Sequence, residues 1–149
     1  MNNSNLSTSG RVSPLEKDYL FSTLLADDQL LRGTMAVLCV TSLDARVEPH
    51  LIVLWRAVTD LITERAWPED KHQRRLALEC RCDFIVSQAG PAYAPFIGMT
   101  MNVIEQSWNG QAVLDRVRVV PLLRKFLKER LCYDRMRSIM GAVPAQQMA

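Results

Sequence analysis

Apolar residues recur along this chain at three- and four-residue spacing, in blocks divided by short polar breaks, and that period belongs to helices. The first block opens at "SPLE", where Ser13 can cap, Pro14 suits the first helical position and Glu16 completes a capping box. A helix is predicted over 14–26, with Leu15, Tyr19, Leu20, Leu24 and Leu25 facing inward. Asp27 and Asp28 restart the chain into a second helix near 28–41, although its β-branched end, "VLCVTS", also suits a strand. Pro49 opens the clearest helix, "PHLIVLWRAVTDLITER". Its Leu51, Leu54, Trp55, Val58, Leu61 and Ile62 make one wide apolar face.

"AWPED" starts a fourth helix, which runs through Leu76, Leu78, Phe84 and Ile85 to about Val86. "SQAGPAYAP" is a loop, a helix follows at about 97–107, and Asn109-Gly110 marks a tight corner between helices. Residues 111–141 then read as one long helix, or two collinear ones meeting at Pro121. The pattern therefore predicts an all-α chain, a small helical bundle followed by a protruding helical hairpin. Its parts are a flexible arm at 1–12, a bundle over 13–107, the second half of the hairpin over 108–141 and a flexible tail at 142–149.

The stretch "FLKERLCYDRMRSIM", residues 126–140, does not divide into one apolar and one polar side. Phe126, Tyr133 and Met140 recur every seven residues, Leu123, Leu127 and Leu131 form a second line, and Cys132 and Ile139 a third. Basic residues run between the lines. Residues 115–137 hold eight Lys/Arg against three Asp/Glu, so a chain of net charge +2 carries a local +5 there. The total charge is too small to imply nucleic acid or an anionic membrane, but the local run is either a solvated helix face or a phosphate-contacting surface.

Composition narrows the remaining classes. An apolar fraction of 48% with 23% charged residues fits a folded domain, and 149 residues can bury a core without staples. The four cysteines follow no disulfide framework, which points to a reducing compartment, and Cys80-Arg-Cys82 lacks the spacing of a zinc site. The polar start and the absence of a long apolar run predict a cytoplasmic protein with no membrane segment. No phosphate loop, nucleophile elbow or metal motif is present, so neither catalysis nor a cofactor is expected of this chain. His50 and His72 fall in first turns of helices as exposed polar residues, and the adjacent acids Asp27-Asp28 and Glu69-Asp70 belong to helix starts. Trp55 reads as core, and Trp67 and Trp108 as covers at helix junctions.

The run "LEKDYLFSTLLADDQLLRGTM…VEPHLIVLWRAVTDLI" resembles the amino-terminal domain of replicative DnaB-type helicases, particularly their divergent phage branch. Glu16, Leu20, Leu24, Leu25, Asp28, His50, Leu54 and Val58 fall at that family's anchor positions, and "VLDRVRVVPLLRKFLKERLCYDRMRSIM" resembles the basic helix before its linker. The motor domain is absent, so the resemblance carries no ATPase activity to this chain. It implies a collar domain that self-associates, as dimer to hexamer, and docks primase or a helicase loader beside single-stranded DNA. On that reading Leu122, Phe126, Leu127, Tyr133, Met136 and Met140 form an oligomer interface. Arg116, Arg118, Arg124, Lys125, Lys128 and Arg130 are the candidate nucleic-acid contacts. Three alternatives stay open: a small nucleic-acid-binding protein acting through residues 116–137, a free-standing phage protein that binds a host replication factor, and a virion shell component.

Overall fold

The structure, a computed structural model, describes residues 11–131. Within them lie α1 (Pro14–Ala26), α2 (Asp28–Met35), α3 (Pro49–Thr63), α4 (Lys71–Ala89) and α5 (Ile97–Asn109). A sixth helix, α6, occupies residues 116–131. Short 3-10 turns stand at Val40–Ser42, Gly90–Ala92 and Ala94–Phe96, and no strand occurs among the described residues. The all-α class expected from the periodicity is what the chain adopts.

Local chemistry sets most of the boundaries. Ser13 and Glu16 form the reciprocal capping box at the start of α1. The Asp27 carboxylate accepts from Leu30 N and starts α2, and Asp70 accepts from Gln73 N and starts α4. Pro68 and Glu69 thus lie before α4 rather than in its first turn. Gly110, with φ of 73°, ends α5 in the left-handed region that glycine enters at no steric cost.

The second helix ends at Met35, well short of residue 41, and no strand replaces the lost turns. Thr34 turns its hydroxyl back to the Leu30 carbonyl, and the buried indole of Trp55 donates to the Leu38 carbonyl at 2.9 Å. A continued helix would engage that carbonyl internally, so the tertiary bond replaces the helical one.

Helix α1 packs along α5, α3 along α4, and α5 touches α3 and α4 as well. The centre of the core is aromatic. Phe21 of α1 meets Trp55 of α3 edge-on at 5.3 Å between ring centroids, and Phe126 of α6 edge-on at 5.7 Å. Leu20, Leu24, Leu51, Leu54, Val58 and Ile104 close around these rings. Leu15, expected inside, is exposed, because it lies on the opposite side of α1 from Leu20 and Leu24.

The largest departure concerns the expected hairpin. Its described portion does not project from the bundle. Val119 and Phe126 are fully buried in the chain's own core, and α6 lies against α1 and the turn before α3. Pro121 sits inside α6 without ending it. It offers no N–H to the Val117 carbonyl one turn earlier, and Val117 is the most open apolar residue described, at 83% exposure.

Candidate interaction faces

Three sets of contacts hold α6 in place. At its start, Asp115 caps the helix by accepting from Arg118 N at 3.0 Å. Thr23 accepts from Leu114 N at 2.9 Å, and Arg116 forms a two-pronged pair with Asp27 while also reaching Gln29. The Arg116 hydrogen bond holds the Asp27 carboxyl below its ordinary value, against a smaller opposing effect of burial. Midway, Val119 and Phe126 enter the core.

Near residue 130 the anchor is ionic. Glu48, fully buried in the turn before α3, accepts from Asp44 N at 2.8 Å and from Arg130 Nη1 at 3.1 Å through one oxygen, Oε2. Lys17 of α1 brings its ammonium to 2.8 Å from the other oxygen, off the hydrogen-bonding direction, so that contact is chiefly Coulombic. Lys17 and Arg130 are themselves buried. Glu129 extends the group by accepting from Val12 N at 3.0 Å and from Arg130 Nη2 at 3.3 Å. One carboxylate thereby joins α1, the turn 44–48 and α6, and Glu129 ties in Val12, just ahead of the Ser13 cap of α1. Nothing in the sequence marks Glu48, because a glutamate before a proline reads as an ordinary surface break.

A neighbouring polar link was also missed. His50, expected on the surface, is buried, with Nε2 at 2.7 Å from Asp18 Oδ1. Its carbonyl accepts from the buried Thr100 hydroxyl at 2.9 Å, tying α3 to α5. His72 does lie on the surface, with its ring 5.4 Å from that of Trp108.

The residues singled out as interface and nucleic-acid candidates separate accordingly. Phe126 is a core residue of its own chain and is unavailable to a partner, while Leu122 and Leu127 are half-buried against the core. Tyr133, Met136 and Met140 lie outside the described residues. Among the basic candidates, Arg130 is buried on Glu48, so it cannot reach a phosphate while α6 is docked. Arg116 and Arg118 are exposed but paired with Asp27 and Asp115. Lys125 is half-buried, and Arg124 and Lys128 are exposed with no carboxylate partner among the described residues. Val117, Pro121, Arg124, Lys128 and Leu131 remain exposed along the length of α6. Their spacing of four, three, four and three residues is that of a single helical stripe.

A second exposed stripe appears on α4, opposite the side that buries Leu78, Cys82 and Ile85. Leu76 and Phe84 are 49% and 56% exposed, with the exposed Cys80 midway between them. Beside Phe84 a cleft of about 260 Å³ opens between α3 and α4, lined by Arg56, Asp60, Phe84, Ile85, Gln88 and Ala89. Burial pushes the Cys82 thiol up to about 12, with Asp83 and Glu79 adding to the rise, so it is an inert core residue.

These features define an all-α bundle with an ionically anchored α6 and two exposed helical stripes, one mixed apolar and basic on α6 and one uncharged on α4. No group of three or more His, Cys, Asp and Glu side chains that could hold a metal occurs among the described residues. No helix among them is long and apolar enough to cross a membrane. No protein-family model matches the chain, and no curated protein or solved structure shows significant similarity to it.

Proposed function

We propose that this chain is a non-catalytic oligomerisation and partner-docking module of a DNA replication helicase assembly, with a second copy of itself as the first partner. The observation that carries the reading is the two-sidedness of α6. After Val119, Phe126 and Arg130 are used internally, the helix still presents Val117, Pro121, Arg124, Lys128 and Leu131 outward. A helix that meets its own bundle on one side and a neighbour on the other needs such a double pattern. The positions that carry the resemblance to the collar domain are compatible with this packing. Six of its eight anchor positions, Leu20, Leu24, Leu25, His50, Leu54 and Val58, are buried, and His50 joins α3 to α1. Docking of primase or a loader would follow assembly.

Analytical ultracentrifugation of the full chain over a concentration series tests this. Mass should rise with concentration and fall back on Val117→Glu. A monomer at every concentration, with helical content intact by circular dichroism, refutes the proposal.

Contact with single-stranded nucleic acid is a second reading, favoured by Arg124 and Lys128. They are exposed one turn apart and lack carboxylate partners among the described residues. Retention on an oligonucleotide column should then fall with salt and with the pair Arg124→Glu and Lys128→Glu. Retention that ignores both removes this reading.

A further inference from the structure

Helix α4 carries an exposed side that is free of charge. Gln73, Leu76, Cys80, Phe84 and Ser87 share one side of the helix, all exposed and none ionisable at neutral pH as a carboxylate or base. Depletion of charge at the centre of a patch, with charged residues at its edge, is the compositional mark of an interface core. The edge is present here. Asp83 flanks one side, and Arg81, paired with Glu64 at 2.8 Å and Asp60 at 3.6 Å, flanks the other.

The order of residues along the stripe identifies the occupant. Leu76 and Phe84 stand four positions either side of Cys80, and Gln73 and Ser87 stand seven positions either side. Two such helices laid antiparallel about a two-fold axis at Cys80 place Leu76 opposite Phe84 of the other copy and Gln73 opposite its Ser87. Apolar therefore meets apolar, polar meets polar, and a small side chain, Cys80, lies where the helices approach most closely. A two-fold contact demands this kind of self-complementarity, whereas a foreign chain does not.

The cleft beside Phe84 fits this pairing, with Phe84, Ile85 and Ala89 as its apolar wall and Arg56, Asp60 and Gln88 at its polar edge. At about 260 Å³ it lies against the residue that the partner copy's Leu76 would face. A cavity of roughly 150 Å³ already accepts a benzene-sized group. Each copy thus supplies both a leucine and a place to seat one.

We infer that α4 forms a two-fold helix–helix contact between copies of this chain, centred on Cys80 and separate from the α6 stripe. Leu76 and Phe84 are its apolar anchors.

Two measurements on the full chain test the contact. The first is mild oxidation in a background of Cys39→Ser and Cys132→Ser, with the core thiol Cys82 left in place. The contact brings the two Cys80 Cα atoms within disulfide reach, so a covalent dimer should form and should be lost on Leu76→Glu. The second is sedimentation in reducing buffer with Val117→Glu present, which blocks the α6 stripe. Association should persist, and adding Leu76→Glu or Phe84→Glu should weaken it by at least about tenfold in Kd. Both positions are exposed, so an unchanged thermal melt certifies the fold. Absence of the Cys80 disulfide, or association indifferent to Leu76→Glu, overturns the α4 contact. Assembly lost with Val117→Glu alone overturns it too, while leaving the α6 reading standing.

Discussion

Replacing Glu48 by Gln removes the carboxylate that Lys17 and Arg130 share, and its cost follows from the geometry. At separations of 2.8 Å and 3.1 Å and an effective dielectric constant near 20, the two attractions amount to about 6 and about 5 kcal/mol before solvation is counted. Desolvation of three ions offsets most of this, several kcal/mol for each, so the intact group contributes little net stability. The mutant keeps the desolvation of Lys17 and Arg130 and loses the shared carboxylate, while Arg130 retains its contact with Glu129. A loss of about 3–5 kcal/mol is therefore expected. For a chain of this length that corresponds to a fall in Tm of roughly 10–20 °C. Calorimetry and urea titration measure it, and amide exchange should locate the loosening in residues 116–131. The triple change Lys17→Met, Glu48→Leu and Arg130→Met should recover part of the loss, since all three ions of the hub go, although Asp44 N loses its acceptor and Glu129 its Arg130 partner. A Glu48→Gln variant within about 1 kcal/mol of the parent would refute the buried hub, because an exposed ion pair costs no more than that to break.

Other consequences are sharp enough to measure. Phe126→Ala should cost about 3–5 kcal/mol by leaving a cavity between Phe21 and the rest of the core, as read by urea denaturation. Alkylation followed by mass spectrometry at pH 8 should modify Cys39 and Cys80 readily and leave Cys82 untouched until the chain unfolds, since its thiol ionises only near about 12. Arginine partners also hold carboxyls low. Arg116 does so for Asp27 and Arg81 for Glu64, and at Asp28 burial acts upward but the Arg32 and Trp67 hydrogen bonds outweigh it. A carboxyl depressed in the folded state stabilises above its unfolded value and loses that contribution as pH falls through the folded one. The ordinary values here are 3.8 for the aspartates and 4.5 for the glutamate, so stability should be flat above about pH 5 and decline below pH 4.5. A Tm that rises on acidification through that range would contradict these pairings.

Helices were legible in the sequence wherever a boundary was set by local chemistry. Ser13-Pro14-Glu16, Pro49 and Gly110 act through neighbours within one turn, so reading them needs no tertiary knowledge. The end of α2 was not legible, because it depends on Trp55 reaching back seventeen residues to the Leu38 carbonyl. His50 and Glu48 were misread or missed for the same reason. Both are polar side chains beside Pro49, and only their distant partners Asp18, Lys17 and Arg130 make burial tolerable. On α6 the periodicity exposed more than one apolar line but could not say which line faced home. Phe126 took the inward role, so the outward one falls to residues such as Val117 and Leu131. Leu76 and Phe84 show the converse error. They fit a helical period and look like core, yet Leu78, Cys82 and Ile85 already fill the buried side of α4.

Two stripes on one chain constrain the assembly further than either does alone. Helix α4 rests on α3 and α5, whereas α6 rests on α1 and the turn before α3, so the two faces belong to different elements. A single two-fold face stops at a dimer, because each copy then has nothing left to offer. Two distinct two-fold faces used alternately continue until the set closes, and closure requires an even number of copies. The expected masses follow from that rule. At saturation the parent chain should settle into closed even-numbered species, with trimer or pentamer only as open intermediates at lower concentration. Leu76→Glu should stop assembly at a dimer joined through α6, and Val117→Glu at a dimer joined through α4. The double variant should be a folded monomer. Mass photometry or sedimentation reads all four states directly. A closed odd-numbered ring at saturation would mean that at least one face is used head-to-tail, and if it survives Val117→Glu that face is α4 and the pairing of Leu76 with Phe84 about Cys80 has to be abandoned, since it exists only under two-fold symmetry.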